Sequence, residues 1–171
     1  MKRLILALGL LCTSTLALAD ENPNWYYTVG YTFFQLKDSG TTLNVGGINA
    51  SVAWQPINWL AIEATGLAGV TSDSLEGVDV KVDSGWAATV LPMWQFDDAW
   101  AVYGRVGYAS ATVKVSGVGS ATDHDTVYGG GLQWTPRVGN THMGARLEYA
   151  QFYNKGGLTI DGVTLSFIQR F

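Results

Sequence analysis

The sequence predicts an all-β protein, an eight-stranded antiparallel up-and-down transmembrane β-barrel. Turn signals recur about every 15–20 residues, with β-branched and aromatic segments between them. Within those segments a large apolar face alternates with a small, polar or charged one, the period of two expected of strands between lipid and a lumen. Six of the seven tryptophans stand beside tight turns or at the start of the first segment. Trp25 opens that segment, Trp54 and Trp59 bracket Gln55-Pro56-Ile57-Asn58, Trp94 and Trp100 bracket Asp97-Asp98, and Trp134 precedes a turn ending at Asn140. A tryptophan ring is largely apolar while its N–H seeks a wet partner, which suits a membrane–water interface. Trp86 stands outside the pattern. A soluble β-sandwich with core tryptophans is the competing reading.

The chain opens with features of an export signal. Met1-Lys2-Arg3 is positive, Leu4 to Leu11 is apolar, and Ala17-Leu18-Ala19 is a small-x-small cleavage site. These predict a signal peptide over 1–19 and a mature domain over 20–171. The apolar run is shorter than the roughly 20 residues of a spanning helix. Cys12 comes too early for a lipoprotein signal and follows the bulky Leu11. It is the only cysteine, so the mature domain has no disulfide and depends on packing and hydrogen bonding. Without Lys2 and Arg3, 8 basic residues face 14 acidic ones, a net charge of −6. That argues against a nucleic-acid partner, which needs a basic face.

The elements follow in order. The first strand, 25–36, sets Tyr27, Val29, Tyr31 and Phe33 against Tyr26, Thr28, Gly30 and Thr32. The second, 42–55, sets Ile48, Ala50, Val52 and Trp54 against Gly47, Asn49, Ser51 and Ala53. Leu43 and Val45 are out of phase with Ile48, which predicts a bulge near Gly46-Gly47. The third, 59–71, carries Glu63 on its polar face; Trp59 shares that phase, which a rim position explains only if the strand starts later. The fourth spans 80–95. The fifth, 99–115, sets Val102, Val106 and Tyr108 against Tyr103, Arg105, Gly107 and Ala109. The sixth, 125–135, sets Tyr128, Leu132 and Trp134 against Gly129, Gly131 and Gln133. The seventh, 141–152, sets Met143, Ala145, Leu147 and Tyr149 against Gly144, Arg146, Glu148 and Ala150. The eighth, 158–171, sets Val163, Leu165 and Phe167 against Gly162, Thr164, Ser166 and Arg170.

The polar face, rich in Gly, Ala, Ser and Thr, suits the crowded interior of a small barrel. A soluble barrel with its apolar face inward would carry far more surface Lys and Glu. An even strand number places both termini at one end, with the turns 55–58, 96–98 and 137–140. That is the expected periplasmic end; loops 37–41, 72–79, 116–124 and 153–157 face outward.

Glu63, Arg105, Arg146, Glu148 and Arg170 share the inward phase, with Lys81 and Asp83 as further members. They predict a lumenal charge network that fills the interior or gates a narrow path. Trp25, Trp54, Trp94, Trp100 and Trp134 form the expected interface girdle. An enzyme would have to use His124 or His142, the only histidines. His124, in an expected outer loop, has Asp123, Asp125 and Ser120 nearby, but a catalytic reading needs a Ser–His–acid geometry, and a solvated loop histidine is the simpler account. Gly129-Gly130-Gly131 lacks the Lys-Ser/Thr of a phosphate loop and instead leaves room for sheet bending or a lumenal Arg or Tyr. No Cys/His cluster has metal-ligand spacing, so no metal or cofactor is expected.

The signal peptide, the eight strands and the ending Ser166-Phe167-Ile168-Gln169-Arg170-Phe171 resemble the small outer-membrane β-barrel proteins of Gram-negative bacteria. The resemblance is to the porin-like or opacity-type domain and the OmpA- and OmpX-like barrels, and it covers the mature chain. Gly47–Gly66 is similar to that family as well. The resemblance implies a cell outer membrane location and recognition by the barrel-assembly machinery through Val163, Leu165, Phe167 and Phe171; Gln169 departs from the pattern. The expected function is structural or surface-interacting and non-catalytic, as a monomer in outer-membrane lipid. The alternatives are a narrow ion or solute channel, a lipid-modifying enzyme and a soluble ligand-binding barrel. The short outer loops weaken an adhesin role.

Overall fold

The computed structural model describes residues 24–38, 41–75, 78–115 and 119–171; the expected signal peptide lies outside them. The described residues are strands joined by turns, with no helix among them. Eight long antiparallel strands form the wall: β1 (Trp25–Asp38), β2 (Thr41–Ile57), β3 (Leu60–Gly69), β5 (Val78–Gln95), β6 (Trp100–Val115), β7 (Gly119–Trp134), β9 (Thr141–Lys155) and β10 (Leu158–Arg170). Two stubs, β4 (Asp73–Leu75) and β8 (Arg137–Val138), pair with β5 and β9. Each wall strand pairs with its neighbours in sequence, and β10 closes on β1 from Tyr26↔Arg170 to Lys37↔Thr159. Closure leaves no free edge in the wall, so its backbone groups can bond within the sheet, as a lipid-embedded sheet requires.

The alternation separates inside from outside. Tyr26, Thr28, Thr32, Phe34 and Leu36 are buried in the lumen, while Phe33, Val52, Val106, Leu147 and Leu165 are exposed on the outer wall. Trp25, Phe171 and the hairpins β2–β3, β5–β6 and β7–β9 lie at one end, the turn end. The opposite end is the loop end.

Several local expectations change. β3 begins at Leu60, so Trp59 sits in the preceding turn and is free of the inward phase. β7 begins at Gly119, so most of the expected loop 116–124 is strand. No bulge interrupts β1–β2 near Gly46-Gly47; the ladder runs in constant register from Trp25↔Trp54 to Asp38↔Thr41. Val45 is instead buried in the lumen, with Leu43 packed beside it. Gly46 is needed on the other face, where a Cβ would overlap the Tyr31 hydroxyl. The register shifts at Val82/Ser84 instead. Beyond that shift Val82 turns inward, and Lys81 and Asp83 turn away from the lumen. Asp83 pairs there with Lys114 at 2.9 Å and with Lys81 at 4.0 Å. The extra residue of a bulge flips every side chain beyond it.

Candidate functional site

Four charged side chains meet inside the barrel. Glu63 comes from β3, Arg105 from β6, and Arg146 and Glu148 from the same face of β9. Arg146 Nη1 donates to Glu63 Oε2 at 2.6 Å, and Arg105 Nη2 donates to Glu63 Oε1. Arg105 Nε lies 3.0 Å from Glu148 Oε2. Both oxygens of Glu63 therefore bind guanidinium, and the four charges cancel in pairs. All four side chains are almost wholly buried.

Tyr103 completes the cluster. Its hydroxyl donates to Glu148 Oε2 at 2.6 Å and accepts from Arg146 Nε at 2.7 Å. The Arg146 guanidinium also lies 4.3 Å from the Tyr103 ring centre. The inward phase of Tyr103 was legible, but its place between two charges was not. The signal lay across the strand: Tyr103 faces Gly131, where a Cβ would collide with the Tyr103 ring. Toward the turn end, Tyr26, Leu91, Met93 and Ile168 fill the lumen. The arrangement links β3, β6 and β9 across the lumen.

Arg170 points inward but stands apart. Its Nη1 donates to Gln55 Oε1 at 2.7 Å and its guanidinium lies 5.3 Å from the Tyr26 ring centre. It forms no ion pair among the described residues.

The local acidic-histidine cluster is split by strand alternation. His124 lies in β7, opposite Ser110, with its ring 5.5 Å from that of Tyr108. Asp123 and Asp125 fall on the other face, where Asp123 accepts from the Tyr153 hydroxyl and Asp125 from the Asn154 N–H. His142 is at the turn end, paired with Arg137 and Arg170. It lies past the last tryptophan, where partial burial and then the charges of Arg170 and Arg137 hold its pKa below the usual histidine value. Among the described residues no group of three His, Cys, Asp or Glu side chains could hold a metal ion.

A family model for the outer membrane protein beta-barrel domain matches residues 4–171. The chain belongs to this family. The outer-membrane barrel has the fold of solved relatives of low identity. The Yersinia pestis attachment invasion locus protein Ail, in complex with the heparin analogue sucrose octasulfate, is 20% identical with a TM-score of 0.62, covering 86% of this chain and 97% of Ail. Neisserial surface protein A is 15% identical with a TM-score of 0.60, covering 86% and 96%. OprG from Pseudomonas aeruginosa is 8% identical with a TM-score of 0.51, covering 90% and 99%. No curated protein matches.

The exposed aromatics of this outer-membrane barrel form two rows. At the turn end, Trp25, Trp54, Trp59, Trp94, Trp100 and Trp134 are all exposed. Trp25 pairs across strands with Trp54, and Trp100 with Trp134, at ring separations of 6.3 and 6.1 Å. Nearer the loop end lie Phe33, Trp86, Tyr108, Tyr128 and Tyr149, also exposed. Trp25 and Phe33, Trp94 and Trp86, and Trp100 and Tyr108 share strands eight positions apart. Eight residues span about 26 Å along a strand, or about 20 Å of height at a tilt near 40°. Trp86 thus belongs to the second row.

Val163, Leu165 and Phe167 are exposed on the outer face of β10. Gln169 follows them in phase but is buried, accepting from the Tyr27 hydroxyl at 2.6 Å. Tyr27 spans the gap it leaves, 6.5 Å from Phe167 and 6.2 Å from Phe171 between ring centres.

Proposed function

We propose that this chain is a monomeric, non-catalytic outer-membrane barrel with a structural or surface-interacting role, its lumen sealed toward the periplasm. The observation that carries this is the closed cluster of Glu63, Arg105, Arg146, Glu148 and Tyr103 above a packed turn end. In the turn half, side chains fill the narrow interior that eight strands enclose, and these charged groups satisfy one another. The split of His124 from Asp123 and Asp125 supports the non-catalytic reading. The tryptophan row acts as the periplasmic girdle and the second aromatic row as the outer-leaflet girdle, both held in lipid by their amphipathic rings. Val163, Leu165, Phe167 and Phe171 act as the assembly signal, and residues 1–19 as the export signal.

The test is planar-bilayer conductance of the refolded full mature chain. The expected result is no steady conductance. Discrete openings in the native protein, abolished by filling the lumen through Ala53→Phe, would establish the channel reading instead.

A further inference from the structure

Above the charge network the lumen changes character. Phe34, Leu36, Leu43, Val82, Phe152 and Ile160 point into it and gather as one apolar cluster. They do not fill it: a cavity of about 530 Å³ lies among them, reaching from Arg105, Arg146 and Glu148 up to Ala121 and Leu158 near the loop end. We propose that this cavity is a binding site for an uncharged, largely apolar small molecule that enters from the loop end.

The volume lies within the range of about 300–1,000 Å³ typical of small-molecule pockets, which are mostly apolar with a few polar groups. Apolar walls around an open cavity are unfavourable in water until something apolar covers them. Small polar residues such as Thr28, Asn49 and Ser51 line its lower part, and the large apolar side chains line its upper part. Charge in the lining is already engaged: Arg105, Arg146 and Glu148 at the floor are neutralised with Glu63 behind them, and Asp123 and Asp125 at the mouth accept from the Tyr153 hydroxyl and the Asn154 N–H. The lower hydroxyls are also engaged, Thr32 with Thr164 at 2.8 Å and Ser51 with Thr65 at 3.0 Å.

The test uses the full mature chain in phospholipid nanodiscs and the neutral fluorescent probe N-phenyl-1-naphthylamine, with empty nanodiscs subtracted. The expected result is one saturable site per barrel, displaced by 1-decanol. Ala109 and Ala121 line the cavity, so Ala109→Phe and Ala121→Phe should each weaken binding about tenfold or more. Val106→Ala, on the outer wall, should leave it unchanged. Heat-dependent gel migration verifies that each variant is folded, and decanol displacement from the native barrel carries the test if neither folds. The proposal is overturned if no saturable signal exceeds that of empty nanodiscs, if decanol fails to compete, or if folded filled variants bind as the native barrel does. Equal affinity for the anionic analogue 8-anilinonaphthalene-1-sulfonate would overturn the uncharged class.

Discussion

The two halves of the lumen solve the problem of a narrow interior in opposite ways. The turn half brings ionised groups together and satisfies them, with Glu63 bound by two arginines and Tyr103 bridging Arg146 to Glu148. The loop half places Phe34, Leu43 and Val82 around space. Buried charge tolerates no missing partner, because each desolvated group depends on the next. An open apolar wall has no such dependence and can lose a methyl group cheaply. The contrast teaches that the turn half depends on every one of its partners, while the loop half leaves space for a guest.

The sharpest way to break this contrast is Glu63→Ala, which takes from Arg146 its nearest carboxylate and from Arg105 one of its two. It should destabilise the barrel by about 3–5 kcal/mol, read as a lower urea midpoint in micelles. Arg105→Ala or Arg146→Ala should also exceed Lys37→Ala, because the Lys37 side chain is half-exposed and its buried partner Asp161 keeps a hydrogen bond from the Gln151 amide. Equal midpoints would remove the network from the account of stability. Next comes Tyr103→Phe, which leaves Arg146 Nε and Glu148 short of a partner at a cost of about 1–3 kcal/mol; an unchanged midpoint would mean that the two charges re-pair without the hydroxyl. In the loop half, Leu43→Ala should cost less than about 2 kcal/mol, below the usual range for filled cores. A larger loss would show that this half is packed after all.

The smallest effect is a pH dependence at the turn end. The folded state holds the His142 pKa below its ordinary value, so the unfolded chain takes up the proton first as pH falls below about 6.5. Stability is therefore lost on acidification through that window. His142→Gln should flatten the midpoint between about pH 7 and pH 5.5 relative to the native protein; parallel curves would assign the dependence to other groups.

The inward phase of Glu63, Arg105, Arg146 and Glu148 was legible in sequence because strand side chains alternate strictly. Their partners were not. Arg146 and Glu63 are 83 positions apart and on strands that do not pair, so only barrel closure brings them together. The same closure leaves Arg170 at the turn end with Gln55 and Tyr26. Phase reasoning failed where an extra residue shifted it, sending Lys81 and Asp83 outward. It failed differently at Leu43 and Val45, where the apolar face was assigned to lipid and a bulge was needed to keep it there. Those residues face the lumen in unbroken register.

By itself the sequence determined the fold class, the number of wall strands, the inner and outer face of most of them and the tryptophan row. Each of these follows from local periodicity and turn chemistry. Tertiary structure alone decided which charges meet, where Trp59 and Trp86 belong, and that the loop half of the lumen is apolar and open. Those depend on how strands align around a closed wall and on what fills the space they enclose, which no single strand encodes.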